Sequence, residues 1–279
     1  MRSDITHIRY HTFDPAGNLT AIVSSETPTS LRPLIGRYLM NKLEVEQVGF
    51  VERPLNPGAD VKFEMMAGEF CGNGLASAGA LLCETRQAQD QLWLIESSPV
   101  ESLVGVTSTR TSPREYLVQV EFEAFPFGRC RLSDEMERID LEGISHLIVF
   151  VDDASDVSFD SAPALLESQG MPDVAALGVI FAYPVDGQWV IAPVVYVPAV
   201  QSLVEEHACA SGSMALALAL FNRGLVAGQS ISVMQPAQEG IGISLDSVSQ
   251  GQANLRLTVP VRALETGSLE LNLFELFSV

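Results

Sequence analysis

Two stretches of this sequence leave no polar face. Residues 72–84, Gly-Asn-Gly-Leu-Ala-Ser-Ala-Gly-Ala-Leu-Leu-Cys-Glu, carry one charge, at their last position, and residues 211–221, Ser-Gly-Ser-Met-Ala-Leu-Ala-Leu-Ala-Leu-Phe, carry none. A helix that is apolar on every side has to be enclosed on every side. Neither run approaches the roughly 20 residues needed to span a bilayer, so the enclosure has to be protein. Short strand-like segments surround both runs, and a strongly curved sheet is the element that can wrap a helix. The expected fold is α/β (α+β): two pseudo-symmetric domains, each a curved, mostly antiparallel sheet wrapped around one central apolar helix.

The flanking pattern has the same plan twice. Ile8–Tyr10 and Ala21–Val23 read as strands around the turn Asp14-Pro15-Ala16-Gly17-Asn18. A helix over Leu31–Leu43 and strands over Gln47–Glu52, Leu92–Glu96 and Tyr116–Glu123 complete the first half. In the second, Leu147–Val151, Val179–Tyr183, Trp189–Tyr196, Ser230–Met234, Gly242–Leu245 and Leu255–Pro260 read as strands, and residues 161–169 as a helix. This is an internal duplication without a short repeat period. The division falls near Phe125-Pro126-Phe127-Gly128, giving an N-terminal half, residues 1–126, and a C-terminal half, residues 127–261.

Charge narrows the partners. With 35 acidic against 16 basic residues the formal charge is -19, which repels phosphate backbones and anionic lipid and so argues against nucleic-acid and membrane partners. It favours a cationic or zwitterionic small molecule. The start, Met1 to His7, has no apolar run of the kind a secretory signal needs, and the expected location is cytoplasmic. In that reducing setting Cys71, Cys83, Cys130 and Cys209 are expected to be thiols. They contain no Cys-x-x-Cys, and only His207 lies near one of them, which argues against a structural zinc site.

Each apolar helix is immediately preceded by a cysteine. The first context is Glu69-Phe70-Cys71-Gly72-Asn73-Gly74; the second is Glu206-His207-Ala208-Cys209-Ala210-Ser211-Gly212-Ser213. A cysteine at a helix N-terminus sits beside unpaired N–H groups and the positive end of the dipole. That position is expected to lower its pKa from about 8.5 towards neutrality. Gly72, Gly74 and Gly212 would let a carboxylate approach the backbone closely. Two such sites face to face suit one reaction: a base on one side of an amino-acid α-carbon removes a proton while an acid on the other supplies one. Cys71 and Cys209 are the expected catalytic pair. Cys83 and Cys130 lack the glycine-turn context and read as structural.

At these residues the sequence resembles the diaminopimelate epimerase superfamily. Cys71-Gly72-Asn73-Gly74 matches that family's first catalytic motif unchanged, and Ala208-Cys209-Ala210-Ser211-Gly212 is similar to the second, with Ala210 replacing a glycine. Gly17-Asn18, Glu46-Gln47-Val48 and Gly143-Ile144-Ser145-His146 resemble further family motifs, so the likeness spans most of the chain. It implies two αβ domains, a C-terminal tail of about residues 262–279 returning to the first, and no cofactor, neither pyridoxal phosphate nor metal. It also implies substrate contacts from Asn18, Glu46, Gln47, Gly72, Asn73, Gly74, Ala210, Ser211 and Gly212, and is compatible with a homodimer.

Departures from the pattern move the substrate away from diaminopimelate. The Glu-Arg pair that grips the far end of that substrate is replaced by about Val200 and Gln201, the asparagine of the Gly-Asn-Pro-His motif by Ile144, and another substrate asparagine by about Gly178. The frame looks instead like histidine racemases that supply D-histidine to opine-type (staphylopine-like) metallophores. In that reading Glu46 binds the substrate amine or imidazole, while His146 and His207 serve in packing or capping. Two alternatives stand beside it. An isomerase resembling the phenazine-biosynthesis enzyme would use Glu46 as its catalytic group, and a non-catalytic small-molecule-binding protein would carry inert thiols.

Overall fold

The computed structural model describes residues 5–168, 172–226, 230–249 and 251–272. The first half runs β1 (Ile5–Pro15), β2 (Thr20–Val23), α1 (Arg32–Leu43), β3 (Gln47–Glu52), β4 (Val61–Met65), α2 (Gly72–Arg86), β5 (Leu92–Ser97), β6 (Val104–Ser112) and β7 (Glu115–Arg131). The second runs β8 (Met136–Leu141), β9 (Ile144–Phe150), α3 (Ala162–Ser168), β10 (Ala176–Val185), β11 (Gln188–Val197), β12 (Ser202–Glu205), α4 (Ala210–Asn222), β13 (Ser230–Met234), β14 (Gly240–Ser249) and β15 (Gln252–Asn272).

The strands form two closed rings that share a seam. β7 pairs with β15 in addition to its neighbours in order, which closes β1 to β7 plus β15 into one ring. The same seam, with the β10–β11 pairing, closes β7 to β11, β13, β14 and β15 into the other. The parallel pairs fall at corresponding places: β2–β3 and β4–β5 in the first ring, β9–β10 and β11–β13 in the second. A parallel pair needs a crossover, and each crossover carries a helix. α1 and α3 cross outside, against β3 and β10; α2 and α4 cross through the ring interiors.

Enclosure of the two central helices is nearly complete. Every residue from Gly72 to Cys83 and from Ala210 to Leu220 is buried. α2 packs on β1 to β4, β6, β7 and β15, and α4 on β8, β9, β10, β14 and β15. Leu75, Leu216, Leu218 and Leu220 are wholly buried; truncating any of them to alanine would cost roughly 2–5 kcal/mol. No helix among the described residues is long and apolar enough to cross a membrane.

Several elements differ from the sequence expectation. β4, β6, β8 and β12 are strands that it missed. Val104–Ser112 reads as loop because of its serines and threonines, yet Val104, Val106 and Ser108 alternate inward. Met136–Leu141 hides the same alternation behind three charged letters. β7 and β15 run far beyond Tyr116–Glu123 and Leu255–Pro260, because seam strands are paired along both edges. β7 continues through Phe125–Gly128, and Val261–Asn272 of β15 lies along β1. The expected helix end at Gln169 and the tail residues 273–279 lie outside the described residues.

Candidate active site

Cys71 and Cys209 occupy the same position in the two rings. Each is the N-cap of its central helix in extended backbone, φ -144°, ψ 108° for Cys71 and φ -134°, ψ 101° for Cys209. Each sulfur accepts the N–H of the third helical residue, Gly74 at 3.2 Å and Gly212 at 3.4 Å. A helix start leaves several N–H groups unpaired. With Gly74 and Gly212 turned to sulfur, the N–H groups of Gly72, Asn73, Ala210 and Ser211 remain for a ligand. The two helix starts abut: a Cβ built on Gly72 would lie 2.8 Å from the Ala210 Cβ. Cysteine at 209 is equally tight, since a Cβ on Gly212 would meet Ile180 at 2.6 Å and the Cys209 sulfur at 3.2 Å.

The approach to Cys209 is fixed by hydrogen bonds from both rings. The His207 N–H donates to Glu46 Oε2 at 3.1 Å and its carbonyl accepts from the Ala237 N–H at 3.1 Å. The Ala208 carbonyl accepts from the Asn18 and Asn73 amides at 2.8 and 2.9 Å. The Cys209 N–H donates to Gln235 Oε1 at 2.9 Å. Gly17, at φ +106°, lets the β1–β2 turn come against Ala237, where a Cβ would meet the alanine side chain at 2.1 Å.

Hydrogen bonding also shows the protonation of Cys71. Thr20 Oγ1 donates to the Asn18 carbonyl at 3.0 Å, so it accepts from Gln47 Nε2 at 2.7 Å. That turns Gln47 Oε1 towards Cys71, whose Sγ donates to it at 3.0 Å. An acceptor there holds a thiol, not a thiolate. Behind Cys209, Ser211 Oγ lies 3.5 Å from its sulfur and 2.9 Å from His146 Nε2. Burial pushes His146 down to about 3, so its ring is neutral. Gly178 packs on that ring, where a Cβ would strike Nδ1 at 2.2 Å.

The sulfurs share one small cavity, about 550 Å³ including its opening to solvent. Of the residues expected from sequence, Glu46, Gln47, Gly72, Asn73, Ala210 and Ser211 line it with the two cysteines. Asn18, Gly74 and Gly212 lie behind the wall, holding Ala208 and the sulfurs in place. Val200 and Gln201 are outside the lining, and the far end is formed by Val195, Val197, Ser202 and Val204. Among the described residues no lysine or arginine lines the cavity, whereas the carboxylates of Glu46, Glu69 and Glu206 do.

Those carboxylates overturn the expected acidity of the cysteines. Burial, together with the field of Glu206, pushes the Cys71 thiol up to about 12. Burial and Glu206 likewise push Cys209 well above the ordinary thiol value. The helix N-terminus acts in the expected direction, through the Gly74 and Gly212 N–H groups, but desolvation outweighs it. Burial raises Glu206 to about 8 even though its carboxyl interacts with Cys209 and Asn18. Glu69, which accepts the Ala67 N–H at 3.0 Å, is raised by burial to about 7. Burial raises Glu46 as well.

Glu69 and Glu206 are the site residues that sequence reasoning passed over. The signal was present: a glutamate stands two residues before Cys71 and another three before Cys209. Cys83 is buried and Cys130 partly buried, both unpaired and away from the cavity.

The chain matches a family described as the histidine racemase CntK N-terminal domain over residues 7–269. It is 27% identical over 212 residues to a histidine racemase of Fusobacterium nucleatum, covering 73% of this chain and 77% of that protein. A histidine racemase of Staphylococcus aureus is 25% identical over 214 residues, 75% of this chain and 78% of that protein. Among solved structures, a hydroxyproline epimerase of Agrobacterium vitis with bound trans-4-hydroxy-L-proline superposes with a TM-score of 0.68 at 13% identity, covering 95% and 93% of the two chains. A PhzF-family phenazine biosynthesis protein of Bacillus anthracis gives 0.66 at 13% identity, covering 95% and 99%. At that identity both are likenesses of fold.

Proposed function

Since the chain belongs to the histidine racemase CntK N-terminal domain family and is an isomerase of the amino-acid racemase class, we propose that it inverts the α-carbon of histidine with Cys71 and Cys209 as the two acid–base groups. The observation that carries this reading is the pair of equivalent cysteine N-caps opening on one cavity lined by three carboxylates and no cationic side chain.

The substrate carboxylate fits the unpaired N–H groups of Gly72, Asn73, Ala210 and Ser211, where two helix dipoles converge. Its ammonium fits Glu206, beside Cys209. Positive charge brought in with the substrate offsets the field that raises both sulfurs, so the substrate binds the form that carries one thiolate. That thiolate takes the Cα proton; the opposite thiol gives one to the other face. Negative charge developing on the carboxylate oxygens meets the same N–H groups, which are already oriented for it. Glu46 suits the imidazole N–H, and the uncharged far wall of Val195, Val197 and Val204 suits a short side chain and not a second zwitterionic end. Supply of D-histidine to an opine-type metallophore pathway is the downstream use this reading implies.

Incubating the protein in D2O with a panel of amino acids, under reductant, tests chemistry and substrate together. D-Histidine formed from L-histidine is expected to carry solvent deuterium at Cα, with meso-diaminopimelate unreactive. Cys71→Ser and Cys209→Ser are each expected to lose about 10²–10⁴-fold in rate, the scale of one general acid or base. D-Histidine without deuterium would sink the two-base mechanism. Active cysteine variants beside a dead Glu46→Gln would favour the isomerase reading built on Glu46.

A further inference from the structure

Two-base inversion leaves the enzyme in the opposite protonation state from the one in which it began. The sulfur that started as thiolate ends as thiol, and its partner the reverse. Before the same enantiomer can react again, one proton has to leave the first sulfur and one has to reach the second; no other bond changes. Cys209 is 3% exposed and Cys71, partly buried, lines the same cavity. This exchange therefore runs through the cavity's opening or across its wall, and a bound ligand in the opening leaves the wall.

The side chains of Glu46 and His207 span the wall. Glu46 lines the cavity, and its Oε1 accepts from His207 Nδ1 at 2.7 Å. The Glu46 side chain is 13% exposed and that of His207 66%, so the pair has one end inside and one end in solvent. A carboxylate has no proton to give in this bond, so the imidazole donates from Nδ1 and Nε2 is left towards water. The ring is held in this position by its own backbone, through the bonds to Glu46 and Ala237 described above. Inside, Glu206 stands beside Cys209, and the charges of Glu69 and Glu206 both act on Cys71. A latch between the rings would explain the ion pair alone. Such half-exposed pairs contribute little to stability, and a latch has no need of a carboxylate facing the cavity.

We propose that His207 and Glu46 form a proton relay that resets the two sulfurs between turnovers. A proton taken up at Nε2 from water or buffer releases the Nδ1 proton to Glu46, which passes it to the cavity and the waiting thiolate. The reverse sequence discharges the other sulfur. Imidazole suits this task because it can accept at one nitrogen while donating at the other. The proposal rests on the two-cysteine reading, and its test keeps the two apart.

His207→Gln retains an N–H donor for Glu46 but cannot carry a proton through. At saturating L-histidine its kcat is expected to fall at least about tenfold, while kcat/KM, which stops before the reset, stays within about twofold. Added imidazole should restore kcat in His207→Gln and in His207→Ala and leave the wild type unchanged. A parallel fall in kcat and kcat/KM without rescue would reduce the pair to a structural latch and overturn the relay. An unchanged kcat in both variants would overturn it too. Deuterium at Cα of the product, measured in the same reactions, reports separately on the two-cysteine chemistry. If deuterium enters and kcat is unmoved, the relay alone has failed; if none enters in the wild type, the underlying reading has.

Discussion

Asn18 and Asn73 donate to one and the same carbonyl, that of Ala208, at 2.8 and 2.9 Å. Asn18 comes from the β1–β2 turn and Asn73 from the first turn of α2, and both reach across to the residue before Cys209. The first ring thereby sets the position of the second ring's sulfur. With Nδ2 committed, the two Oδ1 atoms remain buried and unpartnered. Each such acceptor costs about 1–3 kcal/mol when unmatched.

The contact between the helix starts makes a steric prediction. Gly72→Ala places a methyl 2.8 Å from the Ala210 Cβ and 2.8 Å from Leu257 Cδ1, an overpacking expected to cost about 1–3 kcal/mol and most of the activity. Adding Ala210→Gly removes one of the two clashes. Denaturant midpoints of the four proteins in the cycle should show favourable coupling; strict additivity would mean that the helix starts do not bear on each other.

Raised thiol pKa values make the empty site unreactive towards electrophiles. With Cys71 pushed up to about 12, its carboxamidomethylation at pH 8 should be at least about 10²-fold slower than that of cysteines in the unfolded chain, whose pKa is near 8.5. The rate should still be climbing at pH 10. Peptide mass spectrometry after timed iodoacetamide treatment reads each cysteine separately. A plateau near neutral pH would restore the helix-dipole expectation that the structure overturns.

Stability against pH follows from the same carboxylates. Glu206 and Glu69 are raised by burial to about 8 and about 7, from an ordinary 4.5. Between those values the folded chain holds protons that the unfolded chain has released, so stability falls as pH rises through this window. Their contribution is complete below about pH 4.5 and gone above about pH 8. Glu206→Gln should therefore match the wild-type Tm near pH 5 and exceed it near pH 9. Parallel Tm curves would show that Glu206 ionises without cost in the folded protein.

Much of this was legible because the two central helices announce themselves. Leu216, Leu218 and Leu220 with the alanines between them can only be interior, and a cysteine ahead of each helix is visible without coordinates. Contacts between distant residues were not. Nothing in the letters says that Asn18 reaches a carbonyl 190 positions away, or that Glu206 lies against Cys209 in one buried cavity. The acidity of the sulfurs was misjudged for the same reason. A helix dipole can be inferred locally, whereas desolvation is a property of the finished enclosure. β6 and β8 escaped notice because serines, threonines and charges take up most of their letters, Ser108 and Glu137 even at inward positions.

β15 completes both rings, and it is the last of the described strands in chain order. During synthesis, α2 and α4 would emerge long before the strand that finishes their enclosure, each with an apolar surface and a ring still open at the seam. Neither cavity cysteine can reach its final setting until Gln252–Asn272 has left the ribosome and found β1, β7 and β14. The nascent chain thus carries two greasy helices in search of a closing strand, which makes it a natural client for chaperones that bind exposed apolar segments.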